Sequence, residues 1–179
     1  MQHYVAKDVF ADRAPAFLAL DRKTEFVPAR KGLMIAVDLE QYNYNCPVPT
    51  LIRPTEKTVV ERLPPRIAIR EKAPLELPHI LMIIDDPEKT VIEPLFAADG
   101  KFTEPEYNVE LPKGAGAVRG LRVTPEGTAH FQKSMAALAA KEAAAAAKAG
   151  REPALLLIGD GNHSLATAKA CWDALKHQE

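Results

Sequence analysis

Three things are scarce in this 179-residue sequence: an excess of charge of either sign, cysteine, and long apolar runs. Lysine and arginine (23) nearly balance aspartate and glutamate (24), so no overall field draws the chain to nucleic acid or to an anionic membrane surface. Any phosphate recognition has to be local. The two cysteines, Cys46 and Cys171, lack metal-ligand spacing and are expected to be packing thiols rather than a disulfide. No apolar run reaches spanning length and no leader-like stretch opens the chain, so a reducing cytoplasm is the expected location and a membrane is not an expected partner. What is present, 47% hydrophobic and 26% charged residues, suffices to bury a core, and one domain over residues 1–179 is the default expectation.

Tyr4 to Phe10 and Leu33 to Leu39 read as strands. Prolines recur from Cys46 to Pro78, which predicts extended pieces and turns there rather than long helices. Ile80 to Ile84 reads as a buried strand that pairs with Thr90 to Phe96 in a hairpin across Asp85–Lys89. Glycines 114, 116 and 120 suggest a flexible connector over residues 113–120 before an extended Leu121 to Val123. Pro125 to Lys148 is the clearest helix: Thr124 can cap it, Pro125 suits its first turn, Gly150 stops it, and Phe131, Met135 and Leu138 share one face. Its alanine-rich second half has little to bury and predicts a partly exposed strut. Ala154 to Ile158 is then a strand and Ser164 to Lys176 a helix, with Leu165, Ala168, Trp172 and Leu175 on one buried stripe. The expected class is mixed α/β (α+β), a mixed sheet with a hairpin and flanking helices.

Chemistry concentrates between Leu155 and Ala168. A strand that passes through glycines into a helix presents unpaired N–H groups and the positive end of the helix dipole, which together attract an anion. Gly159 and Gly161 permit close backbone approach, Asn162, His163 and Ser164 can each donate a hydrogen bond, and Asp160 can bind a metal ion or act as a base. Those residue types suit phosphate with Mg²⁺ better than an apolar ligand. The plain alternative is that Asp160 or Asn162 only caps the helix, although a cap needs just one such residue and four stand in a row.

The run IGDGNHSLATAKACW, together with VPTLIRPTEKTVVERLPPRIAIREKAPLELPHILMIIDDPEKTVIEPL upstream, resembles the uncharacterised microbial family called domain of unknown function 1015. That family's chains are about twice this length, so the resemblance implies a portion of a longer chain. The turn is also similar to that of the ParB and sulfiredoxin-like fold, including free-serine kinases. That likeness implies a nucleotide (ATP or ADP) on the turn, with Asp160 and His163 matching the kinases' catalytic residues and Gly161, Asn162 and Ser164 their phosphate loop. Ser164 stands where an arginine is common, which leaves the phosphate's charge partner to be found elsewhere.

Arg53, Arg62, Arg66 and Arg70 are candidates for that partner, since guanidinium forks grip phosphate bidentately. In an extended chain Arg66 and Arg70 would share a face. Surface pairing with Glu56, Glu61 and Glu71 accounts for the same arginines without a ligand. The family resemblance makes Glu56 and Glu61 possible general bases. Asp85 and Asp86 are explained by turn chemistry, His79 by a strand start, and Trp172 by core packing. Three functions remain open: a Mg²⁺-dependent phosphotransferase acting on a small hydroxylated metabolite such as an amino acid, a non-catalytic nucleotide-binding switch of ParB type, and a structural piece whose turn is an ordinary helix cap.

Overall fold

The computed structural model describes residues 2–10, 13–45, 49–77, 79–97 and 100–176. The protein is mixed α+β, with two sheets and four helices among the described residues. The strands are β1 (Leu18–Lys23), β2 (Arg30–Met34), β3 (Ile52–Pro54), β4 (Leu81–Ile83), β5 (Thr103–Glu110), β6 (Ala117–Val123) and β7 (Leu156–Asp160). The helices are α1 (Gln2–Ala6), α2 (Leu63–Arg70), α3 (Pro125–Lys148) and α4 (Asn162–Lys176). The chain divides into two compact units, the first formed by residues 1–13, 37–85 and 141–179 and the second by 14–36 and 86–140.

The second unit is an antiparallel sheet in the order β2-β1-β6-β5. Alternation along β6 drives it: Leu121 and Val123 turn into a core with Ala19 and Leu95, while Arg122 faces the other way and pairs with Glu106 at 2.9 Å. Each such fully buried aliphatic side chain contributes roughly 1.5–3 kcal/mol. The segment 113–120, expected as a connector, is the β5–β6 turn followed by the first half of β6. Gly120 sits there because the ring of Tyr107, its cross-strand partner, lies over it, and an added Cβ would fall 2.3 Å from that ring. Helix α3 has the predicted bounds, with the Thr124 hydroxyl accepting from the Gly127 N–H at 3.0 Å and Gly150 (φ 64°) ending it. Lys141 to Lys148 are mostly exposed, as a strut would be.

The first unit is a short mixed sheet in the order β3-β7-β4, with β3 parallel and β4 antiparallel to the central β7. Ile52, Ile158, Tyr42 and Leu165 form its core, so α4 covers one face of the sheet through Leu165. Helix α2 packs on α4.

Several expectations are corrected. Tyr4 lies in α1 rather than in a strand, and Leu33 to Leu39 holds only the end of β2 before a 3-10 turn at Leu39–Gln41. Thr90 to Phe96 forms no hairpin with Ile80 to Ile84. The latter's Leu81–Ile83 is β4, whose partner is β7, while Glu93–Phe96 is a 3-10 turn in the second unit. Leu81 and Ile83 are exposed rather than buried. The proline-rich stretch contains α2, because Pro64 and Pro65 occupy its first turn, where no amide donor is required. Trp172 and Leu175 are exposed, and the Trp172 indole donates to Glu40 instead of packing in the core. Cys171 is a free, partly buried thiol pushed up in pKa by that burial, whereas Cys46 lies outside the described residues. No helix among the described residues is long and apolar enough to cross a membrane.

Candidate functional site

The chain leaves β7 at Asp160, turns through Gly161 and enters α4 at Asn162. Gly161 has φ 94°, a backbone state that side chains strain, and a Cβ there would sit 3.2 Å from the Ile80 Cα. Its carbonyl accepts the Leu165 N–H at 2.9 Å, which makes Gly161 the residue capping α4 and leaves that cap without a side chain. Among the described residues, no hydrogen bond reaches the N–H of Asn162, His163 or Ser164. Among the described residues, neither the Asp160 nor the Asn162 side chain accepts from an amide of this first turn, so the cap falls to Gly161.

Two ties fold the 55–59 segment over this turn. The Thr55 hydroxyl donates to the Ile158 carbonyl at 2.6 Å, and the Val59 N–H donates to His163 Nε2 at 3.1 Å. Packing of α2 on α4 then delivers Arg66, whose Nη1 donates to the Arg62 carbonyl at 2.9 Å. The result is an open cleft of about 210 Å³ lined by Glu56, Arg66, Asp160, Gly161, Asn162, His163 and Ser164, all within the first unit.

Asn162 is only 5% exposed, and its Oδ1 has no donor among the described residues. A buried amide oxygen without a partner costs about 1–3 kcal/mol, which the rest of the first unit has to offset. Nearby in the same unit, the buried Tyr42 hydroxyl and Thr58 Oγ1 also lack hydrogen bonds of good geometry. Burial pushes Tyr42 up to about 12, with the adjacent Thr58 hydroxyl pulling the other way. Tyr42, Thr58 and the backbone donor of Val59 went unnoticed in the sequence, because neither an isolated hydroxyl nor a main-chain N–H leaves a motif.

The other expected site residues are placed elsewhere. Arg53 is spent on the carbonyls of Thr50, Glu152 and Pro153, where it secures β3 to the approach of β7. Arg70 pairs with Glu76. It shares a helix with Arg66 four residues apart, not an extended face. Arg62 precedes α2 and Glu61 lies in the 3-10 turn Val60–Arg62; both are exposed and neither lines the cleft. Gly159 serves packing, since an added Cβ would fall 2.8 Å from Ile83 Cδ1 of β4. Asp86 accepts from the Thr90 hydroxyl and the Val91 N–H, which is turn chemistry. The described residues contain no group of three or more His, Cys, Asp or Glu side chains able to hold a metal ion unaided.

What the cleft can do follows from its lining. Three open amides, a serine hydroxyl and a guanidinium offer donors to an anion. Glu56 and Asp160 also line the cleft and would repel that anion unless a divalent cation screened them, and carboxylates with phosphate oxygens and water make the usual Mg²⁺ sphere.

No curated protein and no solved structure matches this chain. A family model described as a protein of unknown function, DUF1015, matches residues 1–179, and the chain belongs to that family.

Proposed function

We propose that this DUF1015 member binds a nucleotide through its phosphates at the N-terminus of α4 and transfers a phosphoryl group to a small hydroxylated metabolite. The observation that carries the reading is the first turn of α4, whose Asn162, His163 and Ser164 amides have no hydrogen bond among the described residues and line one cleft with Arg66. The amides of Asn162, His163 and Ser164 would cradle phosphate oxygens while Arg66 supplies the cation that position 164 lacks. Asp160, Glu56 or both would hold Mg²⁺ when it is bound, and the metal would neutralise charge building on the phosphates. Whichever carboxylate stays free of it is the base that receives the acceptor's proton. The β7-turn-α4 unit on a mixed sheet supports a likeness to the ParB and sulfiredoxin-like fold and its free-serine kinases.

Melting temperature recorded with ATP, ADP or CTP, with and without Mg²⁺, tests binding, because a ligand of the native state must raise stability. A rise that requires Mg²⁺ supports the reading; no rise with any nucleotide overturns it. Formation of a phosphorylated amino acid from ATP, lost in Asp160→Asn or Glu56→Gln, separates transfer from a non-catalytic nucleotide switch. Nucleotide binding without any phosphorylated acceptor favours the switch.

A further inference from the structure

We infer that His163 is a positioning residue and not the base of this site: held as the neutral Nδ1–H tautomer, it straps the segment from Val59 to Arg70 onto the first turn of α4 and so sets Arg66 in the cleft. The role in placing Arg66 for a phosphate rests on the reading above, whereas the strap itself does not. The Val59 N–H donates to His163 Nε2 at 3.1 Å. A ring nitrogen that accepts an N–H carries no proton, so the imidazole proton sits on Nδ1. A general base needs a free lone pair, and the one on Nε2 is already committed. The Nδ1–H is then the only donor the ring can offer a ligand.

The strap leads to Arg66 without a break. Val59 precedes the 3-10 turn Val60–Arg62, that turn runs directly into α2, and the Arg62 carbonyl accepts from Arg66 Nη1 at 2.9 Å. One ring nitrogen at the start of α4 therefore acts with the packing of α2 on α4 to hold the main chain from which the cleft's arginine extends. Positioning of this kind supplies preorganisation rather than proton transfer.

Three measurements test this. Multiple-bond ¹H–¹⁵N correlation on the ligand-free wild-type protein at neutral pH should show Nδ1 protonated and Nε2 bare; an Nε2–H tautomer or an imidazolium would overturn the assignment. Hydrogen exchange at the Val59 amide should accelerate in His163→Ala and stay protected in His163→Gln, whose Oε1 can reach the position of Nε2. Equal protection in the wild type and His163→Ala, or equal loss in both variants, contradicts the strap. Titration with inorganic pyrophosphate should show His163→Ala and Arg66→Ala each weakening binding about tenfold, with the double variant no weaker than the poorer single one. Additive losses would show that His163 does not place Arg66. A wild-type protein that fails to bind pyrophosphate defeats the phosphate reading and the placing role with it, while the tautomer and the Val59 exchange still judge the strap.

Discussion

The two units solve the same accounting problem differently. In the second, four strands of five to eight residues pair in long antiparallel ladders, and three of the arginines on them have partners: Arg122 with Glu106, Arg119 with Asp21, and Arg22 with the Ala115 and Ala117 carbonyls. In the first, two of the three strands are only three residues long. It also holds Tyr42 Oη and Thr58 Oγ1, which face each other without a hydrogen bond of good geometry, and Asn162 Oδ1, which has no donor among the described residues. Folded proteins satisfy nearly all buried polar groups, so their gathering in one unit sets the first apart from the second.

The largest test of that contrast is Ile158→Ala, which empties the centre of the first unit's core. It should cost about 2–5 kcal/mol in denaturant unfolding, with exchange protection falling at β7 amides and not at β1 and β6 amides. Uniform loss across both sheets would erase the distinction. Gly120→Ala reverses the experiment: the new methyl displaces the Tyr107 ring, costs roughly 1–3 kcal/mol in the second unit, and leaves nucleotide binding unchanged. Gly161→Ala should cost about 1–2 kcal/mol through its positive φ and also abolish the nucleotide-dependent rise in melting temperature. Arg66→Ala should weaken nucleotide binding about tenfold with the unfolding midpoint unmoved, since the side chain extends into an open cleft.

The smallest effect concerns Glu142, which accepts from Arg151 at 2.6 Å and from the Ala154 N–H at 2.8 Å. The Arg151 hydrogen bond, followed by that of Ala154, lowers its pKa from 4.5 to about 2. A carboxylate depressed in the folded state contributes stability that is complete above its unfolded pKa and is lost as pH falls through the folded one. Glu142→Gln should therefore lower the unfolding midpoint slightly at neutral pH, and the difference should close between about pH 4.5 and about 2. Solvent around the half-exposed Arg151 keeps the effect small. A constant difference across that range would show that the ion pair is not its source.

What was legible in the sequence was local. Thr124, Pro125 and Gly150 mark both ends of α3 because caps and stops act within a turn of the residues that cause them. The β7-turn-α4 segment was visible for the same reason, and with it Asp160 to Ser164 as neighbours. What required partners distant in the chain was not legible. The pairing of β4 with β7 rather than in a hairpin depends on which edge of β7 is free, and the exposure of Trp172 depends on Glu40, far earlier in the chain. Helix α2 was hidden because prolines 64 and 65 signal a break everywhere except in a first turn. That one misreading also misplaced the arginines: on α2, Arg66 enters the cleft while Arg70 turns to Glu76, and Arg53, which looked equivalent, is bound to carbonyls.

The central claim is that the open amides beginning α4 take a phosphate. Following backbone ¹H–¹⁵N resonances while ADP and Mg²⁺ are added tests it most directly. The amides of Asn162, His163 and Ser164 should move together and saturate, with those of β1, β2, β5 and β6 unmoved. Saturating shifts confined to the second unit, or none at the start of α4, would contradict it.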